Sequence, residues 1–280
     1  MNAAAAPIVV GYDGSSDSER ALDWAINAAA QRSCPLRLVA VRDYESPRWL
    51  PQRAEDARHR AVQQLLTADH PGEVPVTVVE PFEEPATHGL LREASDARMM
   101  VLGARGHGVL SGLLMGSVSQ HLSRHADCSV VIVREPHDIK DTRIVVGFDD
   151  SPGSQRALEF GFDAASRSGA SLTVIHGWRR STGGSAGAYI PLSQKIAEEI
   201  DSESHRLHEA LGEWITKYPD LDVTLEAIPL HPIRVLADAS EHAALVVVGS
   251  RGRGAFAGLL LGSVSQGVLH HASCTVAIAR

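Results

Sequence analysis

The chain contains the same stretch of sequence twice. Val101–Arg134 and Val247–Arg280 align without a gap at an offset of 146 and agree at 19 of 34 positions, against roughly one in fifteen expected from average residue usage. Nearer the start, Ile8-Val9-Val10-Gly11-Tyr12-Asp13 matches Ile144-Val145-Val146-Gly147-Phe148-Asp149 at an offset of 136, continuing into Arg20-Ala21-Leu22 and Arg156-Ala157-Leu158. Whatever fold serves one half must therefore serve the other. The change of offset gives the second copy about ten extra residues, expected in the Gly/Ser-rich run 181–187, which has loop composition. The polar segment 135–142 reads as a linker, giving domains 1–138 and 139–280. A length of 280 residues fits two domains of about 150. The net charge of −8 divides into −4 on each side of the cut after Lys140.

Within each copy, apolar runs alternate with helical patterns. In the first, Ile8–Tyr12, Leu36–Val41, Val74–Val79, Met99–Gly103 and Val130–Val133 have the apolar, β-branched character of buried parallel strands. Between them Asp17–Arg32, Pro51–Ala68, Ala86–Ala97 and Gly116–His125 carry helix formers at helical spacing. The second copy repeats the order, with strands near Ile144, Leu172, Val223, Leu245 and Thr275. This alternation predicts an α/β fold, a parallel Rossmann-like sheet with helices on both faces. Ligands of such sheets bind beyond the carboxyl ends of the strands, where the strand order switches.

Other features exclude whole classes of function. A net acidic chain whose 26 cationic residues include only three lysines has no basic face for nucleic acid or anionic membranes. Cys34, Cys128 and Cys274 cannot all pair and form no C-x-x-C spacing, so neither a disulfide framework nor a zinc site is expected, and a reducing cytoplasm fits. Residues 1–7 lack the cationic flank and apolar run of an export signal. Gly254–Ala279 has no charged side chain and is long enough to span a bilayer, but Gly262-Ser263 and Ser273-Cys274-Thr275 divide it into a helix and a buried strand.

The chemistry gathers after the fourth strand. There Gly103-Ala104-Arg105-Gly106-His107-Gly108 leads to Gly116-Ser117-Val118, and Gly249-Ser250-Arg251-Gly252-Arg253-Gly254 leads to Gly262-Ser263-Val264. Both fit G-x2-G-x9-G-S. Such glycines let backbone amides approach an anion, and the following helix offers free N–H groups and a positive dipole end. Ser117 and Ser263 are candidate caps of those helices. A phosphate chain is the natural occupant; the glycines could instead serve only tight turns. A Walker loop is absent, since the three lysines follow Ile139, Gln194 and Thr216. The Rossmann fingerprint fails because three residues, not two, separate Gly108 from Gly112.

Strand-end Asp13 and Asp149, with G-x2-G-x9-G-S before the last helix of a five-strand unit, resemble the universal stress protein family in a tandem, ATP-binding form. The resemblance implies a sheet order of 3-2-1-4-5, one ATP per domain, with Mg2+ a possible companion, and a regulatory role in stress. It places Asp13 and Asp149 against the nucleoside with Gly11 and Gly147 beside them. Adenine would meet the backbone of Val41 and, in the second copy, Gly177. The phosphates would meet Gly103, Gly106, Gly116, Ser117 and Val118 and their counterparts Gly249, Gly252, Gly262, Ser263 and Val264, with Arg105 and Arg251 adding charge.

Asp13 and Asp149 have a second reading as turn residues bonding their own backbone. His121 and His125 sit four apart, a metal-ligand spacing, but Gly267 and His271 replace them in the second copy, so no metal is expected. His205 and His208 read as solvated, and Cys128 and Cys274 as buried small hydrophobes. Trp49 and Tyr189 fall in loops after the second strands, as nucleotide covers or loop anchors. With no general base or activated nucleophile beside the loops, a non-enzymatic ATP-binding regulator is expected, acting on a protein partner through nucleotide-ordered loops. A slow ATPase or nucleotidyl transferase and a nucleotide-free scaffold are the alternatives. The last strands are candidate pairing edges, for an intrachain pseudo-dimer and a homodimer.

Overall fold

The computed structural model describes residues 6–40, 59–63, 74–79, 84–106, 115–135, 142–179, 192–254 and 260–280. The chain forms two compact units. The first spans Met1–Pro136 with Thr275–Ile278 and Arg280, and the second spans His137–Cys274 with Ala279.

In the first unit β1 (Ile8–Tyr12), α1 (Ser16–Arg32), β2 (Leu36–Ala40), β3 (Val76–Val79), α2 (Ala86–Ala94), β4 (Met99–Gly103), α3 (Ser117–His125) and β5 (Ser129–Val133) follow in order. Residues 59–63 are helical as well. Ile8 pairs in parallel with Leu36 and Met99, Leu36 with Val76, and Met99 with Ser129, giving β3-β2-β1-β4-β5. The expected α/β class and 3-2-1-4-5 order are thus present. Every residue of β1 is buried, as a central parallel strand covered on both faces requires. α1 buries Ala21, Leu22, Ala25, Ile26, Ala28 and Ala29, a single stripe at helical spacing.

The second unit repeats the plan with β6 (Ile144–Gly147), α4 (Pro152–Ser168), β7 (Leu172–Gly177), α5 (Leu192–Lys217), β8 (Val223–Ile228), α6 (Pro232–Ser240), β9 (Leu245–Gly249) and α7 (Ser263–His271). Its parallel order is β9-β6-β7-β8. Successive residues of β6 reach opposite layers. A Cβ on Gly161 of α4 would run into Val146, whereas one on Gly147 would meet Leu236 of α6 at 2.8 Å. α5, at 26 residues, buries only Leu207 and Leu211. Near its end Trp214 and Tyr218 close on buried Phe162 of α4, each with centroids 5.2 Å away. β10 (Thr275–Ala279) ends the chain, its Val276 opposite Ile132 in antiparallel pairing within the first unit.

Some boundaries differ from expectation for local reasons. β3 begins at Val76, not Val74, because Pro75 has no amide to give the ladder, although its carbonyl accepts from Leu36 N at 2.9 Å. α2 stops at Ala94, not Ala97, where the Ser95 hydroxyl takes the Arg92 carbonyl at 2.7 Å. Gly254–Ala279 resolves into α7 and β10, residues 255–259 lying outside the described residues. No helix among the described residues is long and apolar enough to cross a membrane.

Candidate functional site

At the carboxyl end of β1, Asp13 begins a turn into α1. Its Oδ1 accepts from the Ser15 amide at 3.0 Å and the Ser15 hydroxyl at 2.6 Å. Ser15 caps α1 by accepting from Ser18 N at 3.2 Å, and the Ser18 hydroxyl donates to the Ser15 carbonyl at 2.8 Å. The second copy reproduces this turn. Asp149 Oδ1 accepts from the Ser151 amide at 3.2 Å and its hydroxyl at 2.6 Å, and Ser151 caps α4 through Ser154 N at 3.2 Å. The local-turn role read for Asp13 and Asp149 is therefore present. Ser15, Ser18, Ser151 and Ser154 escaped the sequence reading, although D-x-S-x-x-S stands in both copies at the same offset of 136.

The glycine-rich loop lies directly against this turn. The Ser15 hydroxyl also approaches the Arg105 carbonyl at 3.3 Å, as Ser151 approaches Arg251 at 3.4 Å. A Cβ on Gly106 would run into Asp13 Oδ2, and one on Gly252 into Asp149 Oδ2. Gly103 and Gly249 are equally constrained, since their added Cβ atoms would strike the backbone of Asp17 and of Gly153. Close backbone approach is the physical demand at all four positions.

The loop is pinned at its neck. Gly116 N donates to Ala104 O, and Gly262 N to Ser250 O, both at 2.8 Å. The Ser119 hydroxyl binds Gly103 O at 2.7 Å and that of Ser265 binds Gly249 O at 2.5 Å, tying each helix to its strand end. The helix caps are Gly116 and Gly262, not Ser117 and Ser263. The serines fall one residue inside the helix, where a hydroxyl cannot reach back to the N2 or N3 amide. Gly116 and Gly262 likewise do not offer their own amides, which the neck bonds use. The donors left without a partner inside the helix are the next three, those of Ser117, Val118 and Ser119 and of Ser263, Val264 and Ser265. Ser117 and Ser263 are exposed and Val118 and Val264 half-buried.

Charge is distributed unequally. Asp17, 3% exposed, accepts from the Arg105 amide at 2.9 Å and Arg105 Nε at 3.2 Å, so Arg105 is engaged within the protein rather than simply available to a ligand. At the aligned place the second copy has Gly153. There Arg253 donates its amide to Asp149 Oδ2 and its guanidinium to Asp150, each at 2.9 Å. Burial raises the Asp149 carboxyl, but bonds from the Ser151 hydroxyl, the Arg253 amide, the Ser151 amide and Ser154 outweigh it, leaving the group below its ordinary value. A carboxyl lowered in the folded state stabilises fully above its unfolded value, about 4, and loses that contribution as pH falls through the folded value. Asp149→Asn is expected to cost about 1–3 kcal/mol at pH 7. Thermal melts should show the gap to the parent chain closing below about pH 4; a constant gap would refute the linkage.

The remaining expected positions have these surroundings. Gly11 and Gly147 face apolar side chains: a Cβ would meet Leu102 of β4 at 2.7 Å and Leu90 of α2 at 3.3 Å in the first copy, and Leu236 of α6 at 2.8 Å in the second. Gly177 lies against α6, where a Cβ would stand 3.0 Å from Pro232 Cα. Its neighbour His176 directs Nδ1 at the Phe148 carbonyl at 2.8 Å and stacks on Trp178 at 5.6 Å. Gly254 is exposed, with open space where its Cβ would be. Val41, His107, Gly108, Trp49 and Tyr189 lie outside the described residues. The His121 and His125 rings stack at 4.0 Å. His205 and His208 are exposed. Cys274 is buried, whereas Cys128 is only partly so, with burial pushing its thiol up to about 11.

The universal stress protein family model matches residues 5–134 and again 142–280. The chain belongs to the universal stress protein family. Its tandem form extends to relatives matched over nearly their full length. It is 35% identical to universal stress protein Rv2623 of Mycobacterium tuberculosis over 294 residues, covering 98% of this chain and 96% of the relative. To universal stress protein Rv2005c of the same organism it is 34% identical over 293 residues, with the same coverage. Among solved structures, a universal stress protein from Archaeoglobus fulgidus superposes with a TM-score of 0.69 at 19% identity, covering 98% of this chain and 96% of that one. That likeness is one of fold, and it extends to both halves of this universal stress protein.

Proposed function

We propose that this universal stress protein binds one ATP in each half and acts as a nucleotide-dependent regulator rather than a catalyst of rapid turnover. The observation that carries the reading is the meeting, in both copies, of three elements at the strands' carboxyl ends. They are a carboxylate held by a serine turn, a glycine-rich backbone lying on that carboxylate, and a helix N-terminus whose first-turn amides have no acceptor within the helix. Amides and a dipole end suit a phosphate chain without lysine. Asp13 and Asp149, at the head of the turn, suit ribose hydroxyls. The glycines let the loop backbone lie on the turn with no side chain between them, and the neck bonds hold the helix start in place before a ligand arrives. ATP, with Mg2+ if bound alongside, would supply negative charge that orders the loop and changes the surface offered to a partner protein.

Acid release of small molecules from the purified protein, followed by chromatography, is expected to give ATP near two per chain after saturation. Absence of nucleotide, with no binding on titration, would sink the reading. Multiple-turnover phosphate release well above that of a Gly116→Asp, Gly262→Asp double variant would move the function to a slow ATPase.

A further inference from the structure

At one of the buried positions where the two copies of the site differ, the difference falls on groups that an anion would use. Asp17 occupies this position in the first copy and Gly153 in the second. Asp17 Oδ2 takes both the backbone amide of the glycine loop, at Arg105, and the Arg105 Nε, while its Oδ1 holds Arg20. In effect the protein has placed its own anion beneath the loop and matched it with the loop's arginine. In the second copy the Arg251 backbone closes over Gly153 so tightly that a Cβ there would run into the Arg251 carbonyl. No carboxylate can occupy that place. Among the described residues Arg251 makes no ion pair. Asp149 is held by Ser151 and the Arg253 amide, and Asp150 by the Arg253 guanidinium.

We infer that Asp17 makes the first site the weaker of the two for a polyphosphate, and that the second site, with the amide and charge of Arg251 left to the ligand, is the tight one. This rests on both sites being nucleotide sites. The physical difference is one unit of charge: a neutral Asp17–Arg105 pair in one loop, an uncompensated Arg251 in the other. Its effect grows with the charge of the ligand, so Asp17 acts on the triphosphate tail and hardly on a nucleoside monophosphate. Asp17 is thus a specificity-determining residue, and partial loading of the protein with ATP leaves the second half filled first.

The test is equilibrium titration of the full chain with ATP and with AMP, in variants that keep one site each. Gly116→Asp leaves the second site and Gly262→Asp leaves the first. ATP is expected to bind the first site about tenfold more weakly than the second, with AMP affinities within about threefold of each other. Adding Asp17→Asn to the Gly262→Asp chain should recover about tenfold for ATP and little for AMP. Equal ATP affinities of the two single-site chains would overturn the inference, whether or not Asp17→Asn folds. So would an Asp17→Asn effect of the same size on ATP and AMP, which marks a merely structural role. Failure of the parent chain and both variants to bind either nucleotide would instead remove the nucleotide reading itself.

Discussion

Gly262→Asp is expected to leave the protein folded, with an unchanged or slightly raised melting temperature, while ATP affinity at the second site falls by about 100-fold or more. Gly262 is the N-cap of α7, at φ −72° and ψ 156°, a conformation in which Asp is among the preferred caps. A Cβ there meets Arg251 Cα at an ordinary 3.4 Å. The new carboxylate would accept from the Val264 or Ser265 amide, the donors proposed for the phosphates, and gain a few tenths of a kcal/mol over glycine. The protein then supplies an anion of its own, and the ligand meets both lost donors and like charge. Titration of the Gly116→Asp chain before and after adding Gly262→Asp isolates the effect. Retention of ATP binding within threefold would show that the phosphates do not use this helix end.

Gly249→Ala should do the opposite, destabilising the second unit before any ligand is considered. Its Cβ would overlap the Gly153 carbonyl carbon and oxygen and come within 2.8 Å of Gly153 Cα. All three are backbone atoms, with no rotamer to turn aside, so β9 and α4 must separate at the switch point. A cost on the order of 3 kcal/mol or more follows from overpacking of this kind, which for a unit of this size lowers the melting temperature by about 10 °C. Gly212→Ala provides the contrast. Gly212 lies inside α5 with nothing within 4 Å of its Cβ, so alanine should stabilise by about 0.5–1 kcal/mol. Differential scanning calorimetry separates the two, and equal melting points for Gly249→Ala and the parent would refute the close approach.

The repeat made the architecture legible because a parallel strand announces itself in a short apolar run, and ten such runs recur in matching order. The G-x2-G-x9-G-S spacing likewise marked both loops, since glycine is the residue that backbone contact demands. Other features escaped for physical reasons, besides the capping serines. The caps shifted by one residue because spacing alone does not tell the residue that caps a helix from the one that starts it. Gly11 and Gly147 stand two residues before the carboxylates, and the spacing does not show that a Cβ on either would meet apolar side chains, Leu102 and Leu90 in the first copy and Leu236 and Val248 in the second. Asp17 reads as an ordinary acidic residue in the first turn of a helix. Only the fold, by laying the Arg105 amide on it from 88 positions away, gives it a different meaning.

The single hydrogen bond at the neck of each loop, from Gly116 to Ala104 and from Gly262 to Ser250, has a consequence for how the two halves have diverged. It holds Ala104 beside Gly116 and Ser250 beside Gly262 through backbone atoms alone, a bond that residues of other types at those positions could also make. Between those ends the two sequences differ, with His107 aligned to Arg253, Leu110 to Phe256 and Ser111 to Ala257, and the spacing is unchanged. A duplicated ancestor joined this way could change the residues of one loop while the other kept its own, without either copy losing the link between strand end and helix start.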